Sequence, residues 1–415
     1  MKKGFVYTVI IIVLIVVLGY LIYSFTKSDD TENANNVTTE NSSASSESVS
    51  SSSEKTNVTT VSGSIYSVSD LFTHRDLTQT ADLSDATTYT VSDEEDINIT
   101  EEGVYVLKGT ASDVTIYVEA DSEAKVQLVL DGLSITNEDF PCIYVKSGDK
   151  VFITTTDSEN TLVVSGTFSA DGSTNTDGVI FSRSDIVLNG VGTLTIKSTD
   201  NGVVGKDDVK ITGGTYNITA TSKAIEANDS ICIADGTLNL KAGTDGLHAE
   251  NDDDDTLGYI YIGGGELTIT AGDDGIHGQS VVQIDDGTIT ISAAEGIEGT
   301  YIQINGGTIT IKATDDGINA ANKSSAYNTT IEINDGYITI DMGSGDTDGV
   351  DSNGDIYVNG GTIEVIGNST FDYDGSAEYN GGTIIVNGTQ IDYIPNQMMG
   401  GNGGMNGGMN GGRMR

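Results

Sequence analysis

A unit of about twenty residues repeats through the centre of the sequence and limits the fold more than any other feature. Residues 260–278, 282–299 and 302–320 are three copies, which read IYIGGGELTITAGDDGIHG, VQIDDGTITISAAEGIEG and IQINGGTITIKATDDGINA. The turn glycine in the unit recurs, mostly at steps of 20–22 residues, at Gly192, Gly214, Gly236, Gly265, Gly287, Gly307, Gly336, Gly361 and Gly382. A constant period of this size predicts a solenoid.

The spacing of apolar residues within each unit indicates which kind of solenoid this is. Leu267, Ile269 and Ala271 alternate with polar residues, and this period of two is typical of strands with one buried face. Three short strands per unit predict an all-β chain that coils as a right-handed, single-stranded parallel β-helix. The inward columns are predicted to be Leu267, Ile289 and Ile309, and Ile269, Ile291 and Ile311.

The termini differ in composition from the repeats, and five regions are predicted. Residues 1–27 contain Lys2, Lys3 and an apolar run from Phe5 to Phe25, which is long enough for a transmembrane anchor with its N-terminus in the cytoplasm. A cleaved signal peptide is the alternative. Residues 28–62 are predicted to be a disordered linker rich in Ser, Thr and Asn, 63–95 an irregular cap, 96–394 the β-helix, and 395–415 a disordered Gly/Asn/Met tail.

Charge and cysteine content restrict the partners. The net charge of −43 argues against nucleic acid and anionic membrane surfaces, and it favours cations or a neutral polymer. Cys142 and Cys232 are about four coils apart, roughly 19 Å at the spacing of paired strands, which is too far for a disulfide. We expect a monomer on the cell membrane, anchored by a single span, with the β-helix outside.

Acidic turns recur at one place in the repeat and form a predicted acidic ladder. Its candidate metal ligands are Asp200, Asp245, Asp273, Asp274, Glu295, Asp315, Asp316 and Asp348. Carboxylates stacked about 4.8 Å apart repel each other by roughly 3–4 kcal/mol at an effective dielectric constant near 20. Ca²⁺ is the predicted cofactor because it accepts many oxygen ligands in flexible geometry. The alternative is that Asp-Gly simply makes good turns.

A second set of polar residues follows the acidic turns. His248 and His277 belong to an outward column that reads Glu226, His248, His277, Glu298, Asn319 and Asp351. A histidine pair flanked by carboxylates could bind zinc. The interpretation we favour is that Glu226, His248, His277 and Glu298 are surface groups that bind sugar hydroxyls. Tyr261, on the first strand of its unit, is a candidate for stacking on a sugar ring.

The sequence resembles a family of carbohydrate-binding parallel β-helix proteins of cellulolytic and gut bacteria, formerly a domain of unknown function and similar in structure to pectate lyases. The resemblance is carried by EEGVYVLKG at 101–109, AKVQLVLDGLSITN at 124–137, IYVKSGDKVFI at 143–153 and the stretch 206–251, and it covers about residues 90–394. It implies calcium sites on the helix surface and binding to cellulose or pectate. It does not imply catalysis.

Three functions therefore stay open from the sequence. The first is a surface-anchored, calcium-binding polysaccharide-binding protein. The second is a calcium-dependent polysaccharide lyase with Lys223 as the base; stacked carboxylates on both sides favour the charged form of this residue, whereas a base must be neutral. The third is a non-catalytic adhesin or scaffold that calcium only stiffens.

Overall fold

Alternating Thr and Ile residues form short strands, and each strand pairs with the equivalent strand one coil later. In the centre of the chain Leu267 lies beside Ile289, and Ile289 lies beside Ile309. All six residues predicted for the inward columns are buried. The computed structural model describes residues 63–343 and 347–396, which lie in one compact unit spanning Glu54–Arg415.

The strands form three faces. Face A contains β1 (Thr87–Thr90), β7 (Lys150–Thr155), β10 (Asp185–Gly190), β13 (Asp208–Ile211), β16 (Ser230–Ile233), β19 (Tyr259–Ile262), β26 (Thr330–Ile333), β29 (Asp355–Val358) and β32 (Ala377–Tyr379). Face B contains β8 (Glu159–Val164), β11 (Thr193–Ser198), β14 (Thr215–Ala220), β17 (Thr237–Lys241), β20 (Glu266–Thr270), β22 (Thr288–Ala293), β24 (Thr308–Ala313), β27 (Tyr337–Met342), β30 (Thr362–Ile366), β33 (Thr383–Val386) and β34 (Thr389–Ile391). Face C contains β2 (Ile97–Ile99), β4 (Ile116–Glu119), β6 (Ile143–Ser147), β9 (Gly178–Ser182), β12 (Asn201–Gly205), β15 (Ile225–Ala227), β18 (Leu247–Ala249), β25 (Ile318–Ala320), β28 (Asp348–Ser352) and β31 (Ser369–Tyr373).

Four longer strands bend from one face onto the next. They are β3 (Gly103–Ser112) and β5 (Lys125–Asn137), which pass from face A to face B, and β21 (Asp274–Ile284) and β23 (Glu295–Ile304), which pass from face C to face A. Pairing within each face is parallel in the described residues, except that β33 and β34 are antiparallel. This pattern is consistent with the predicted parallel β-helix; its right-handedness stays a prediction.

In the central repeats, glycine is required where face C begins because the coils approach closely there. A Cβ atom added at Gly275 would lie 2.4 Å from Ile291 Cγ2 and 2.6 Å from the carbonyl oxygen of Gly296. Gly296 and Gly317 meet the same obstruction from the next coil. The acidic-glycine turns therefore have a packing function, independent of any ligand. Cys142 and Cys232 are both buried free thiols, as the prediction of no disulfide requires.

Residues 63–79, predicted as part of an end cap, lie instead along the outside of face A. This segment contains the single short helix of the described residues, α1 (Val68–Leu71). The backbone N–H of Tyr66 donates to Gln283, and the amide of Gln79 donates to the Thr212 carbonyl. The segment therefore crosses several coils, and the first rung of face A is β1.

The predicted anchor, linker and most of the tail fall on residues 1–62 and 397–415, outside the described residues. Within residues 63–343 and 347–396, helices of the length and hydropathy needed to cross a membrane do not occur.

Candidate functional site

Outward side chains of face C form one continuous column, which we call the face C column. Strand register aligns Asn98, Tyr117, Tyr144, Phe181, Val204, Glu226, His248, His277, Glu298, Asn319, Asp351 and Asp372. The six residues from Glu226 to Asp351 are those predicted from the sequence. The column changes from aromatic to polar and acidic residues between Val204 and Glu226.

A second column lies at the corner that leads into face C, and we call it the corner column. It contains Asn201, Lys223, Asp245, Asp274, Glu295, Asp316 and Asp348, each two residues before an inward apolar residue of face C. Five of the eight predicted metal ligands are in this column. The other three, Asp200, Asp273 and Asp315, are one residue earlier, and Asp273 and Asp315 are exposed.

The doubled acids are therefore separated by the structure, because only the second of each pair belongs to the corner column. The carboxylates of that column also bond to the neighbouring coil. Asp245 Oδ1 accepts from the N–H of Asp274 at 3.2 Å, and Asp316 Oδ1 accepts from the N–H of Asp348 at 3.1 Å. One oxygen of each acid thus satisfies a backbone donor, and the second oxygen remains for another partner.

Where the face C column carries histidine, the acids of both columns lie within ion-pair distance of an imidazole. We call Asp245, His248, Asp274, His277 and Glu298 the histidine cluster. The two imidazole rings stack with centroids 4.6 Å apart and an angle of 17° between their planes. His277 Nδ1 lies 2.7 Å from Asp274 Oδ2 and 2.7 Å from Glu298 Oε2, and His248 Nδ1 lies 2.9 Å from Asp245 Oδ2. All five residues are buried.

The pKa values of this cluster show that attraction outweighs burial for three of its members. Burial lowers the pKa of His277, but its bonds to Asp274 and Glu298 raise it further, to about 9. Burial raises the pKa of Glu298, but His277 and the Lys323 ammonium, 2.9 Å away, lower it overall. The pKa of Asp245 is also lowered: burial raises it, but the neighbouring His248 lowers it by more. Asp274 is the exception, because burial and the charges of Glu298 and Asp245 raise its pKa despite its bond to His277.

Further along the same two columns, acids meet without a histidine. We call Glu295, Asp316, Asp348 and Asp351 the acid cluster. Burial, followed by repulsion from neighbouring acids, raises the pKa of Glu295 to about 7 and of Asp351 to about 7. Burial and the charges of Asp315 and Asp348 raise the pKa of Asp316 to about 6, although the Asp348 amide opposes this. These three carboxylates make no salt bridge with a described residue.

Beside the acid cluster, the side-chain amide oxygen of Asn319 also lacks a hydrogen-bond partner among the described residues. Asn319, on the coil between Glu298 and Asp351, donates its Nδ2 to Glu295 Oε2 at 3.0 Å. Its Oδ1 is buried and accepts no hydrogen bond among the described residues. A buried polar atom without a partner is costly, and an amide oxygen is a common Ca²⁺ ligand. The donor set of the acid cluster thus fits calcium, whereas Asp273 and Asp315 are outside it.

A polar cavity of about 550 Å³ lies beside the histidine cluster. It is lined by both lysines of this region, Lys206 and Lys223, and by Glu226, His248 and Glu250. The Lys206 and Lys223 ammonium groups each lie 3.6 Å from a Glu226 oxygen. Lys223, the candidate lyase base, is in the corner column as predicted, but its ion-pair partner is Glu226 on its own coil.

Tyr261 does not belong to this region, and its prediction as a sugar-stacking residue is contradicted. It points outward from face A, where Phe72 of the segment 63–79 covers it at a ring distance of 6.4 Å. Its hydroxyl donates to Asp285 at 2.9 Å, and the residue is 1% exposed. The sequence could not show this because Phe72 is far away in the chain.

Sequence reasoning missed the aromatic end of the face C column. Tyr117, Tyr144 and Phe181 lie on successive coils, with ring centroids 5.9 Å apart in a tilted pair and 5.6 Å apart in an edge-to-face pair. The Lys146 ammonium lies 4.9 Å from the Tyr117 ring centre. Alignment of the irregular early coils with the later repeat would have revealed the column. Tyr144 and Phe181 are fully buried, so only Tyr117 is partly accessible.

Comparison with known proteins identifies the family. A family profile described as "Carbohydrate-binding domain-containing protein" matches residues 93–346 and 292–397, which is more than half of the chain. This chain belongs to that carbohydrate-binding family. A relative of the same description from Acetivibrio thermocellus is 37% identical over 127 residues, 29% of this chain. The match spans 44% of that relative's length.

Comparison with solved structures returns one described as the structure of the polysaccharide lyase-like protein from C. thermocellum, gadolinium derivative. It is 24% identical, with a TM-score of 0.41, and the match covers 72% of this chain and 96% of that one.

Proposed function

We propose that this carbohydrate-binding protein holds calcium in the acid cluster and uses it to bind a plant or cell-wall polysaccharide of the cellulose or pectate type. The observation that carries the proposal is a set of carboxylates, Glu295, Asp316 and Asp351, whose pKa values burial raises to about 7, 6 and 7. Within residues 63–343 and 347–396, their charge has no cationic side-chain partner, and the Asn319 oxygen beside them has no donor. A divalent cation satisfies both needs.

Calcium would also allow an acidic polymer to approach. The chain carries a net charge of −43, so a polyanion is repelled unless bridging cations lie between the two. The cavity lined by Lys206, Lys223, Glu226 and His248 supplies donors and acceptors for sugar hydroxyls next to the cation sites. The binding surface would then extend along several coils of face C, from Glu226 and the cavity to the acid cluster, with the buried histidine cluster between them.

The direct test is binding to immobilised cellulose and polygalacturonate, with calcium and with a chelator. Asp316→Asn/Asp351→Asn removes two charges from the acid cluster and should abolish the calcium-dependent part of binding. Asp273→Asn/Asp315→Asn is the matched control, since it removes the same charge from exposed positions outside the cluster. Equal losses in the two variants, or binding in the parent that chelator leaves unchanged, would refute the proposal.

A calcium-dependent lyase is the second candidate, because Lys223 lines the cavity where a sugar would lie. Its ion pair with Glu226 opposes a role as base, since a base must lose its proton. Incubation with polygalacturonate and measurement of ultraviolet absorption from unsaturated products decides between the two. The binding function predicts no absorption change, whereas a lyase predicts one that Lys223→Ala abolishes.

The cellular location belongs to the same proposal. The apolar run from Phe5 to Phe25 would keep the protein on the cell membrane as a single-pass anchor, with the carbohydrate-binding region outside. N-terminal sequencing of the mature protein tests this. A start before residue 5 supports the anchor, and a start beyond residue 25 shows a cleaved signal instead.

A further inference from the structure

We propose that His248, His277 and Glu250 form a binding site for a transition-metal ion, best suited to Zn²⁺. One ligand atom from each of the three residues lies within 4.8 Å of the others. The site goes beyond the proposed function because both its residues and its ion differ from those of the acid cluster.

The three donor atoms lie near one another, but both rings must turn before zinc can bind, because the ion lies in the plane of each imidazole and the two ring planes are almost parallel. His248 Nε2 already lies 3.2 Å from Glu250 Oε2, and the two imidazole rings are 4.6 Å apart on adjacent coils. Zinc bonds of about 2.0–2.2 Å in a tetrahedral site need ligand atoms roughly 3.4 Å apart. Side-chain rotations that move the atoms by about 1.5 Å at most would close the site. Glu250 is exposed and free to make such a rotation.

The carboxylates of the corner column lie beside Nδ1 of both imidazoles, although only the contact to His277 has hydrogen-bond geometry. Asp245 contacts Nδ1 of His248, and Asp274 contacts Nδ1 of His277, in each case from three residues earlier. Metal-binding histidines usually have one ring nitrogen held by a carboxylate, which leaves the other nitrogen for the metal. Here the repeat produces the arrangement twice, on successive coils, and zinc would bind the two Nε2 atoms by displacing the proton that the His277 cation carries there.

The donor types decide which ion the site would take. Imidazole nitrogen suits zinc, copper and nickel, whereas calcium prefers oxygen ligands. Two imidazoles with one carboxylate make a donor set that zinc uses in open sites, where a water molecule fills the fourth position. The cavity lined by His248 and Glu250 leaves room for that water. Glu250 follows β18 in a loop, so a search along strand columns could not include it.

Calorimetric titration of the full chain with ZnCl₂, in saturating calcium, tests the site. The parent should bind one zinc ion at His248, His277 and Glu250. His248→Asn and Glu250→Gln should each weaken zinc binding by at least about tenfold. His74→Asn is the matched control because His74 is the third histidine of the chain and is exposed on the segment 63–79. It should leave zinc affinity unchanged.

A second variant separates this site from the proposed calcium site. Asp316→Asn/Asp351→Asn should keep zinc affinity, since neither residue is a proposed zinc ligand, even if it loses calcium. The inference is overturned if the parent binds no zinc, if His248→Asn binds it as tightly as His74→Asn does, or if loss of the acid cluster abolishes zinc binding. Cobalt substitution gives an independent readout, because visible absorption of a tetrahedral cobalt complex should disappear in His248→Asn.

Discussion

The histidine cluster and the acid cluster have the same backbone, lie in the same two columns and are adjacent, yet their charges are balanced differently. In the first, His277 and Lys323 neutralise Glu298 at distances below 3 Å. In the second, Asp351 has acids as its charged neighbours, and its pKa is raised by burial and by Asp316, Asp348, Asp372 and Asp374. The same repeat thus builds one cluster whose acids are largely paired with cations of the protein and, a coil or two later, one whose acids have other acids as neighbours.

The largest expected effect comes from removing a partner inside the histidine cluster. Glu298→Gln would leave the buried His277 cation and Lys323 without their shared carboxylate. Breaking such a buried pair costs about 3–5 kcal/mol. Denaturant unfolding with chelator present should show this loss of stability. A change below 1 kcal/mol would mean that the cluster is not held together by charge pairing.

Calcium should stabilise the parent through the acid cluster alone. At a concentration of about 100 times the dissociation constant, binding only the folded state adds about 2.7 kcal/mol, or very roughly 5 °C in melting temperature. Asp316→Asn/Asp351→Asn should lose this increment, and Asp273→Asn/Asp315→Asn should keep it. The comparison fails if calcium raises the melting temperature of both variants equally.

The sequence predicted the features of the two clusters that follow from the repeat, and it did not predict those that depend on contacts between residues far apart in the chain. The inward Ile289 and Ile291 and the outward His248 and His277 were found because strand alternation and a constant period determine both columns. The sequence also contains the information that Asp274, and not the exposed Asp273, belongs to the corner column. The corner acid is the residue directly before the glycine that close packing requires. Asp273 and Asp274 were nevertheless predicted together as metal ligands.

Features that rest on contacts between distant residues could not be predicted. Phe72 covers Tyr261 across 189 residues of chain, and periodicity carries no information about such a pair. Lys323 reaches Glu298 from an inserted loop, which interrupts the repeat. Glu250 approaches His248 from another insertion. The repeat therefore determines where each acidic side chain of the two columns lies, and the inserted loops determine whether a charged or polar partner reaches it.

The pH dependence should differ between the two clusters. His277 has its pKa raised from 6.5 to about 9, so its stabilising contribution is complete below pH 6.5 and is lost as pH rises through 9. The pKa of Glu295 is raised from 4.5 to about 7. Without metal, its contribution to the free energy of unfolding is therefore complete below pH 4.5 and is lost as pH rises from 4.5 to 7. The loss is about 3 kcal/mol for His277, and it is smaller for Glu295 because solvent screens this partly exposed group.

Calcium should remove the loss between pH 4.5 and 7 and leave the loss between pH 6.5 and 9. Melting temperatures measured across this range, with calcium and with chelator, check the sign. Stability that rises with pH in chelator would contradict both assignments.

The smallest effect is expected from Asp351→Asn in chelator. Removing one carboxylate from the acid cluster relieves repulsion, so this variant should be more stable than the parent by about 1 kcal/mol at pH 8, after allowance for solvent screening. The sign is opposite to that of Glu298→Gln, although both changes convert an acid of the face C column to its amide. Two destabilised variants would show that the clusters do not differ as described.

The most direct test of the central claim is a crystal structure of the chain grown with calcium, in which the ions are located by anomalous diffraction. The account predicts ion density among Glu295, Asp316, Asp348 and Asp351, with the Asn319 oxygen as a ligand, and none within the histidine cluster. Calcium bound between His277 and Glu298, or an acid cluster without an ion at saturating calcium, would contradict it.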